Sequence, residues 1–228
     1  MRLDKFISHS ARLSRNDSKR LIKSKTVCVN DEVVTNSKHL VSETDIVTHS
    51  GEVLAFPKPQ YLMLYKPTGY VSATTDSEHP TVIDLLPEEF SDLSIAGRLD
   101  LDASGLLLLS DDGKWLHRVT SPKHECTKTY IVELESELNE DIKTQFAEGI
   151  MLNGEDKPTK AATLRILENN TAEVCISEGR YHQVKRMFAA CGNHVKKLHR
   201  HAIGSLVLDN EMKQGDFRKL TEAEINGF

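Results

Sequence analysis

The 228-residue chain has few cysteines, few aromatics and no long apolar run, and each scarcity excludes something. Its four cysteines, Cys28, Cys126, Cys175 and Cys191, stand far apart without a Cys-x-x-Cys pair. That disfavours a disulfide framework or zinc knuckle and favours buried thiols in a reducing compartment. No apolar stretch approaches the ~20 residues that span a bilayer, so a membrane-spanning protein is not expected. The opening MRLDKFISHS has no apolar core of a secretory signal, which leaves the cytoplasm as the expected location. There is no P-loop, no Gly-x-Gly-x-x-Gly, no internal repeat and no low-complexity tract. What remains is ordinary globular material, 39% hydrophobic and 28% charged, with enough apolar side chains for a core.

The net charge of −5 argues against a nucleic-acid partner until its distribution is considered. Residues 1–25 carry eight Lys and Arg against Asp4 and Asp17, a balance of +6. Residues 180–201 carry six more, with four histidines and no acid, so the remainder of the chain holds −17. Two concentrated basic patches on an acidic body suit a polyanion-binding protein with a defined footprint. Solvated surface faces are the alternative, less favoured explanation of these charge runs.

Leu3, Phe6 and Ile7 at i, i+3, i+4 mark a first helix, and Ser14-Arg-Asn-Asp17 has the spacing that starts a second, continued by Leu21 and Ile22. A hairpin follows over 26–34 around Asn30-Asp31, with a strand near 45–48. Phe56-Pro-Lys-Pro59 reads as a stiff linker, placing a boundary between domains 1–58 and 59–228. Beyond it, strands are expected at 61–65, 69–73, 106–109, 129–134, 161–167 and 172–176. Helices are expected near 114–119, 139–148 and 181–190, the last ending at Gly192. Strands and helices do not alternate one for one, so an α+β fold on a mainly antiparallel sheet is expected rather than a doubly wound one.

Three segments carry candidate chemistry. Gly97-Arg-Leu-Asp-Leu-Asp-Ala-Ser-Gly105 packs Arg98, Asp100 and Asp102 at the mouth of a leucine strand. If extended, these three share one side by period 2. Buried there, they are costly unless paired or functional, and an ion pair pinning a turn would account for them without chemistry. The spacing from Asp100 to Asp111 also fits a calcium loop, but Leu108 and Asp111 stand at ligand positions that usually differ, and no helix leads in. Ser177–Phe188 places Arg180, His182, Gln183, Lys185 and Arg186 at the start of a helix, a ready anion site. Lys128-Thr-Tyr130 sets an aromatic beside a cation in a strand. Cys191, His194, His199 and His201 match no common metal-ligand spacing.

Together these residues resemble a known family across nearly the whole chain. The N-terminal MRLDKFIS and SRNDSKRLIKSKTVCVND are similar to an S4 RNA-binding domain. Lys66-Pro-x-Gly69, Gly97-Arg-Leu-Asp100, Lys128-x-Tyr130 and Glu178-Gly-Arg-Tyr-His-Gln-Val-Lys-Arg186 resemble, in order, the motifs of the pseudouridine synthases that act on small-subunit ribosomal RNA. The resemblance implies a small S4-like domain followed by a mainly antiparallel mixed-sheet catalytic domain. It implies isomerisation of a specific uridine of 16S ribosomal RNA, as in the position-516 enzymes. A non-catalytic RNA-binding protein of the same fold and an enzyme acting on large-subunit RNA are the alternatives.

Carried over by position, the resemblance makes Asp100 the catalytic aspartate, Tyr130 the aromatic that packs on the target base, and Lys185 the cation paired with the aspartate. Relatives often have arginine at 185 and threonine at 103, and Arg186 is a second candidate for the cation. The basic patches supply the expected RNA contacts: Arg2, Lys5, Arg15, Lys19, Arg20 and Lys23, then Arg98, Arg180, His182, Gln183, Arg186 and Arg200. The reaction needs no redox change, group transfer or external energy, so no cofactor and no metal is expected. The expected partner is ribosomal RNA within a partly assembled small subunit, with the protein acting as a monomer away from membranes.

Overall fold

Helix α1 (Leu3–Ala11) buries Leu3, Phe6 and Ile7, the apolar stripe its spacing announces. Helix α2 (Arg15–Lys23) starts at Ser14, whose Oγ accepts from the Asp17 N–H at 3.1 Å and donates to the Asp17 carboxylate at 2.6 Å. The chain then forms a four-stranded antiparallel sheet from β1 (Val27–Val29), β2 (Glu32–Val33), β3 (Val47–His49) and β4 (Glu52–Leu54), in the order β2-β1-β3-β4. Asn30 and Asp31, both at positive φ, make the tight turn between β1 and β2. The two helices and this sheet share one core that includes Phe6, Ile22, Val27 and Val47.

The structure is a computed structural model that describes residues 1–11, 13–121 and 126–228. It divides into two units, Met1–Pro59 and Gln60–Phe228. Arg12, counted in the N-terminal basic patch, lies outside the described residues.

The second unit contains β5 (Tyr61–Lys66), β6 (Ser94–Ala96), β7 (Ala103–Ser110), α3 (Gly113–Thr120), β8 (Lys128–Leu134), α4 (Asp141–Glu148), β9 (Thr163–Glu168), β10 (Thr171–Ile176), α5 (Gln183–Ala190), β11 (Val195–Ile203), β12 (Leu206–Val207), β13 (Phe217–Lys219) and α6 (Glu222–Asn226). Its sheet runs β13-β5-β7-β11-β8-β10-β9, with β6 on β7 and β12 on β11. Among the described residues every pairing is antiparallel except β7 with β11. The architecture is α+β, a small unit of two helices and a four-stranded sheet followed by a mainly antiparallel mixed sheet. The leucine run 106–109 is continuous because β7 is buried on both faces. Leu106 and Leu108 pack with Met63 and Trp115, while Leu107 and Leu109 pack with Leu62 and Leu64. Gly105 permits the parallel contact, since a Cβ there would stand 2.3 Å from the Arg200 carbonyl oxygen, at a φ of +117°.

Two expectations need correction. Segment 69–73 is not a strand: it has one isolated bridge, Val71 to Thr81, and Ser72 bonds to the Leu99 backbone instead of a ladder. The longest strand, β11, falls where only a basic patch was expected. Its sequence VKKLHRHAI has too few apolar residues to announce a central strand, yet it is paired on both edges.

Candidate active site

The loop 97–102 between β6 and β7 presents Asp100 to a cleft of about 620 Å³, and its backbone is fixed carbonyl by carbonyl. Arg98 O accepts from Arg200 Nη1 at 3.3 Å, and Leu99 O from Ser72 Oγ at 2.8 Å. Asp100 O accepts from Lys66 Nζ at 3.0 Å, and Leu101 O from the Gly69 N–H at 2.7 Å. Ala103 O accepts from Lys66 Nζ at 2.7 Å. With these carbonyls engaged, the loop has little freedom, and Asp100 is held where it lines the cleft beside Arg98 and Leu101.

Lys66 is fully buried and also donates to Pro67 O at 2.9 Å. Burial pushes its pKa down to about 8, against the opposing pull of the Asp100 and Asp102 charges. In the sequence Lys66 stands out only as part of a motif; the carbonyls of Asp100 and Ala103, more than thirty residues away, reach it only on folding.

Helix α5 supplies the cation. Lys185 Nζ stands 3.0 Å from Asp100 Oδ2 and 2.6 Å from Asp102 Oδ1. Burial works against the ammonium, but hydrogen bonds to Asp102 and Asp100 and their charges outweigh it, raising the Lys185 pKa. Asp102 is pushed up by burial and pulled further down by Lys185, for a net lowering. Of the two carboxylates, Asp100 is the more enclosed, its side chain 25% exposed against 73% for Asp102. His182 Nε2 lies 3.4 Å from Asp100 Oδ1. Arg186 turns elsewhere, to Glu155 at 3.0 Å and to the carbonyls of Tyr181 and Asn153. Neighbours on a helix differ by ~100°, so one faces the carboxylates and the other does not.

Strand β8 places Lys128 and Tyr130 on one face, both lining the cleft. Tyr130 is 8% exposed. Lys128 donates to Cys126 O, and burial together with the Arg200 charge lowers its pKa.

Several expected RNA contacts sit differently from a surface patch. Arg200 is buried beneath the cleft, its Nε donating to Leu106 O at 2.8 Å. It supports the loop instead of standing on a surface. Gln183 is also buried, accepting from the Arg180 N–H at 2.8 Å and donating to Glu178 at 3.0 Å, so its amide is used within the turn. Arg180 pairs with Glu178 at 3.3 Å and Glu155 at 3.6 Å. The stretch without acids is thus neutralised in part from Glu155 and Glu178. The helix begins at Gln183, two residues later than expected, because His182 adopts a left-handed conformation. Arg98 is exposed, and period 2 does not hold across the loop, which turns at Asp100 with the Ala103 N–H donating to Asp100 O.

In the N-terminal unit the buried Asp4 pairs with Arg2 at 2.7 Å and Arg15 at 3.1 Å, holding two cations together. Arg20 pairs with Asp17, and Lys19 and Lys23 are exposed on α2. Lys5 is half-buried on α1. Among the described residues no group of three or more His, Cys, Asp or Glu is placed to hold a metal ion, and no helix is long and apolar enough to cross a membrane.

Residues 60–190 match the model of the RNA pseudouridylate synthases, and residues 1–47 match that of the S4 domain. A relative from Pasteurella multocida, a ribosomal small subunit pseudouridine synthase A, is 47% identical over 230 residues, covering 100% of this chain and 99% of its own. One of the same name from Escherichia coli K12 is 48% identical over 227 residues, covering 99% and 98%. A crystal structure described as a pseudouridylate synthase superposes with a TM-score of 0.73 at 44% identity, covering 100% of this chain and 99% of that one.

Proposed function

The chain belongs to the RNA pseudouridylate synthase family, and from that premise we propose that it isomerises a specific uridine of small-subunit ribosomal RNA to pseudouridine, with Asp100 as the catalytic carboxylate. The observation that carries the reading is Asp100 in the cleft, 3.0 Å from Lys185, with Tyr130 on the same cleft wall.

Pseudouridine formation breaks the N1–C1′ bond, turns the uracil, and joins C5 to C1′, while N1 gains a proton and C5 loses one. Atoms balance without any other reactant. Asp100 serves as nucleophile or base at the sugar, and the Lys185 ammonium favours its ionised form. Tyr130 packs on the extruded base and confines it as it turns. Flipping a uridine out of folded RNA costs a few kcal/mol, which stacking and phosphate contacts offset. The cations of α1 and α2 add phosphate contacts and register. Lys66, Ser72 and Arg200 hold the Asp100 loop in place.

The relatives' names support ribosomal small-subunit RNA as substrate. The partly assembled subunit in the cytoplasm, met by a monomer, is the form we propose. The uridine at position 516 of 16S RNA is the first to examine. Mapping pseudouridine in ribosomal RNA from cells with and without the gene tests this directly. One site should be lost and should return with the wild-type gene but not with Asp100→Asn. An unchanged small-subunit map would refute the substrate assignment.

A further inference from the structure

Among the described residues, one aromatic side chain is exposed: Tyr181, at 69%. It stands on the lining of the cleft that holds Asp100 and Tyr130. Its ring stacks on His182 with centroids 3.8 Å apart and planes 18° from parallel. One face of the tyrosine is therefore covered, and the ring's orientation is set. His182 lies in turn 3.4 Å from the Asp100 carboxylate, so the exposed ring is one side chain away from the reactive group.

The backbone maintains this pair at a cost. His182 sits at φ 46°, ψ 36°, a left-handed conformation that residues with a Cβ adopt rarely. Three bonds hold the turn: the Arg180 N–H to Gln183 Oε1 at 2.8 Å, the Gln183 N–H to Arg180 O at 3.2 Å, and Arg186 Nη1 to Tyr181 O at 3.1 Å. A surface turn without a task has no need of two side-chain clamps and a strained residue to keep an apolar ring in water.

Resting on the reading of this cleft as a uridine-isomerising site, we propose that Tyr181 is a stacking platform for an unpaired nucleobase adjacent to the target uridine. Extruding a uridine removes a stacking partner from each neighbour, and an oriented aromatic face at the cleft replaces one of them. The ligand class is any nucleobase, because stacking on tyrosine reads a π-face and not a hydrogen-bond pattern. Tyr130, 8% exposed in the cleft wall, serves the target base; Tyr181 serves its neighbour.

The test pairs protein and RNA changes, using the full chain and an RNA hairpin that contains the mapped target uridine. Tyr181→Ala should weaken RNA binding and raise KM by about 10-fold or more, while Tyr181→Phe and Tyr181→Trp stay near wild type. An abasic nucleotide beside the target, on the 5′ or the 3′ side, should weaken wild type by a similar factor and leave Tyr181→Ala almost unaffected. 2-Aminopurine at that same position should be quenched by wild type and not by Tyr181→Ala. Full additivity at both neighbours, with no difference in quenching, would overturn the proposal. So would a Tyr181→Ala defect confined to kcat, which would assign the ring to the chemistry through His182. Binding and quenching are read without turnover, so failure of the hairpin to be modified would count against the assigned reaction and leave the platform still decided.

Discussion

The Lys66 ammonium donates to the backbone carbonyl of Asp100 at 3.0 Å while Lys185 meets the same residue's carboxylate at 3.0 Å. One cation fixes the main chain and the other its charge. Lys66 does its part from full burial, where a cation is costly unless its donors are satisfied.

Replacing Lys66 with Met should therefore leave the carbonyls of Pro67, Asp100 and Ala103 without this donor, destabilising the protein by about 2–4 kcal/mol and reducing the isomerisation rate at least 10-fold. A pH signature accompanies it. Burial holds the Lys66 pKa down at about 8, below the ordinary lysine value of 10.5, so between these values the unfolded chain binds more protons. Its contribution to stability should rise with pH across that window. Urea titrations from pH 7 to 10.5 should show the wild-type advantage over Lys66→Met widening; a constant gap would contradict the buried ammonium.

Asp100→Asn should abolish isomerisation, at least 10³-fold in single turnover, with RNA affinity nearly unchanged, because a carboxylate gains nothing from a polyanion. Asp102→Asn should cost far less, since Asp102 is mostly exposed and shares its cation with Asp100. Equal losses in the two variants would move the chemistry to the pair.

The division of labour along α5 predicts a split between neighbours. Lys185→Met should slow the chemical step at saturating enzyme by about 10²-fold, having removed the ammonium that contacts both carboxylates. Arg186→Met should leave that step within a few-fold and instead lower thermal stability through its lost bonds to Glu155 and Asn153. Single-turnover rates and melting curves on both proteins decide between them.

On α2, replacing Lys19, Arg20 and Lys23 together by Gln should weaken RNA binding without altering the single-turnover rate. If all three meet phosphates, the slope of log affinity against log salt should flatten by about 2 to 3, near 0.7–0.9 per contact. An unchanged slope would remove this face from the RNA path.

Local chemistry in the sequence was enough for the N-terminal helices, the turn at Asn30-Asp31 and the doubly buried leucines of β7, because spacing, capping and burial on two faces are written in consecutive residues. The order of motifs also made the family legible, and with it the choice of Asp100, Tyr130 and Lys185 as candidates. Tertiary structure alone decided that Lys185 and not Arg186 meets Asp100, that Glu155 crosses to Arg180 and Arg186, and that β11 runs through the middle of the sheet. It also decided that Arg200 and Gln183 support the site from below the surface. Each depends on a partner tens of residues away or on burial by other segments. Charge and apolar counts within a window carry no record of where the rest of the chain returns.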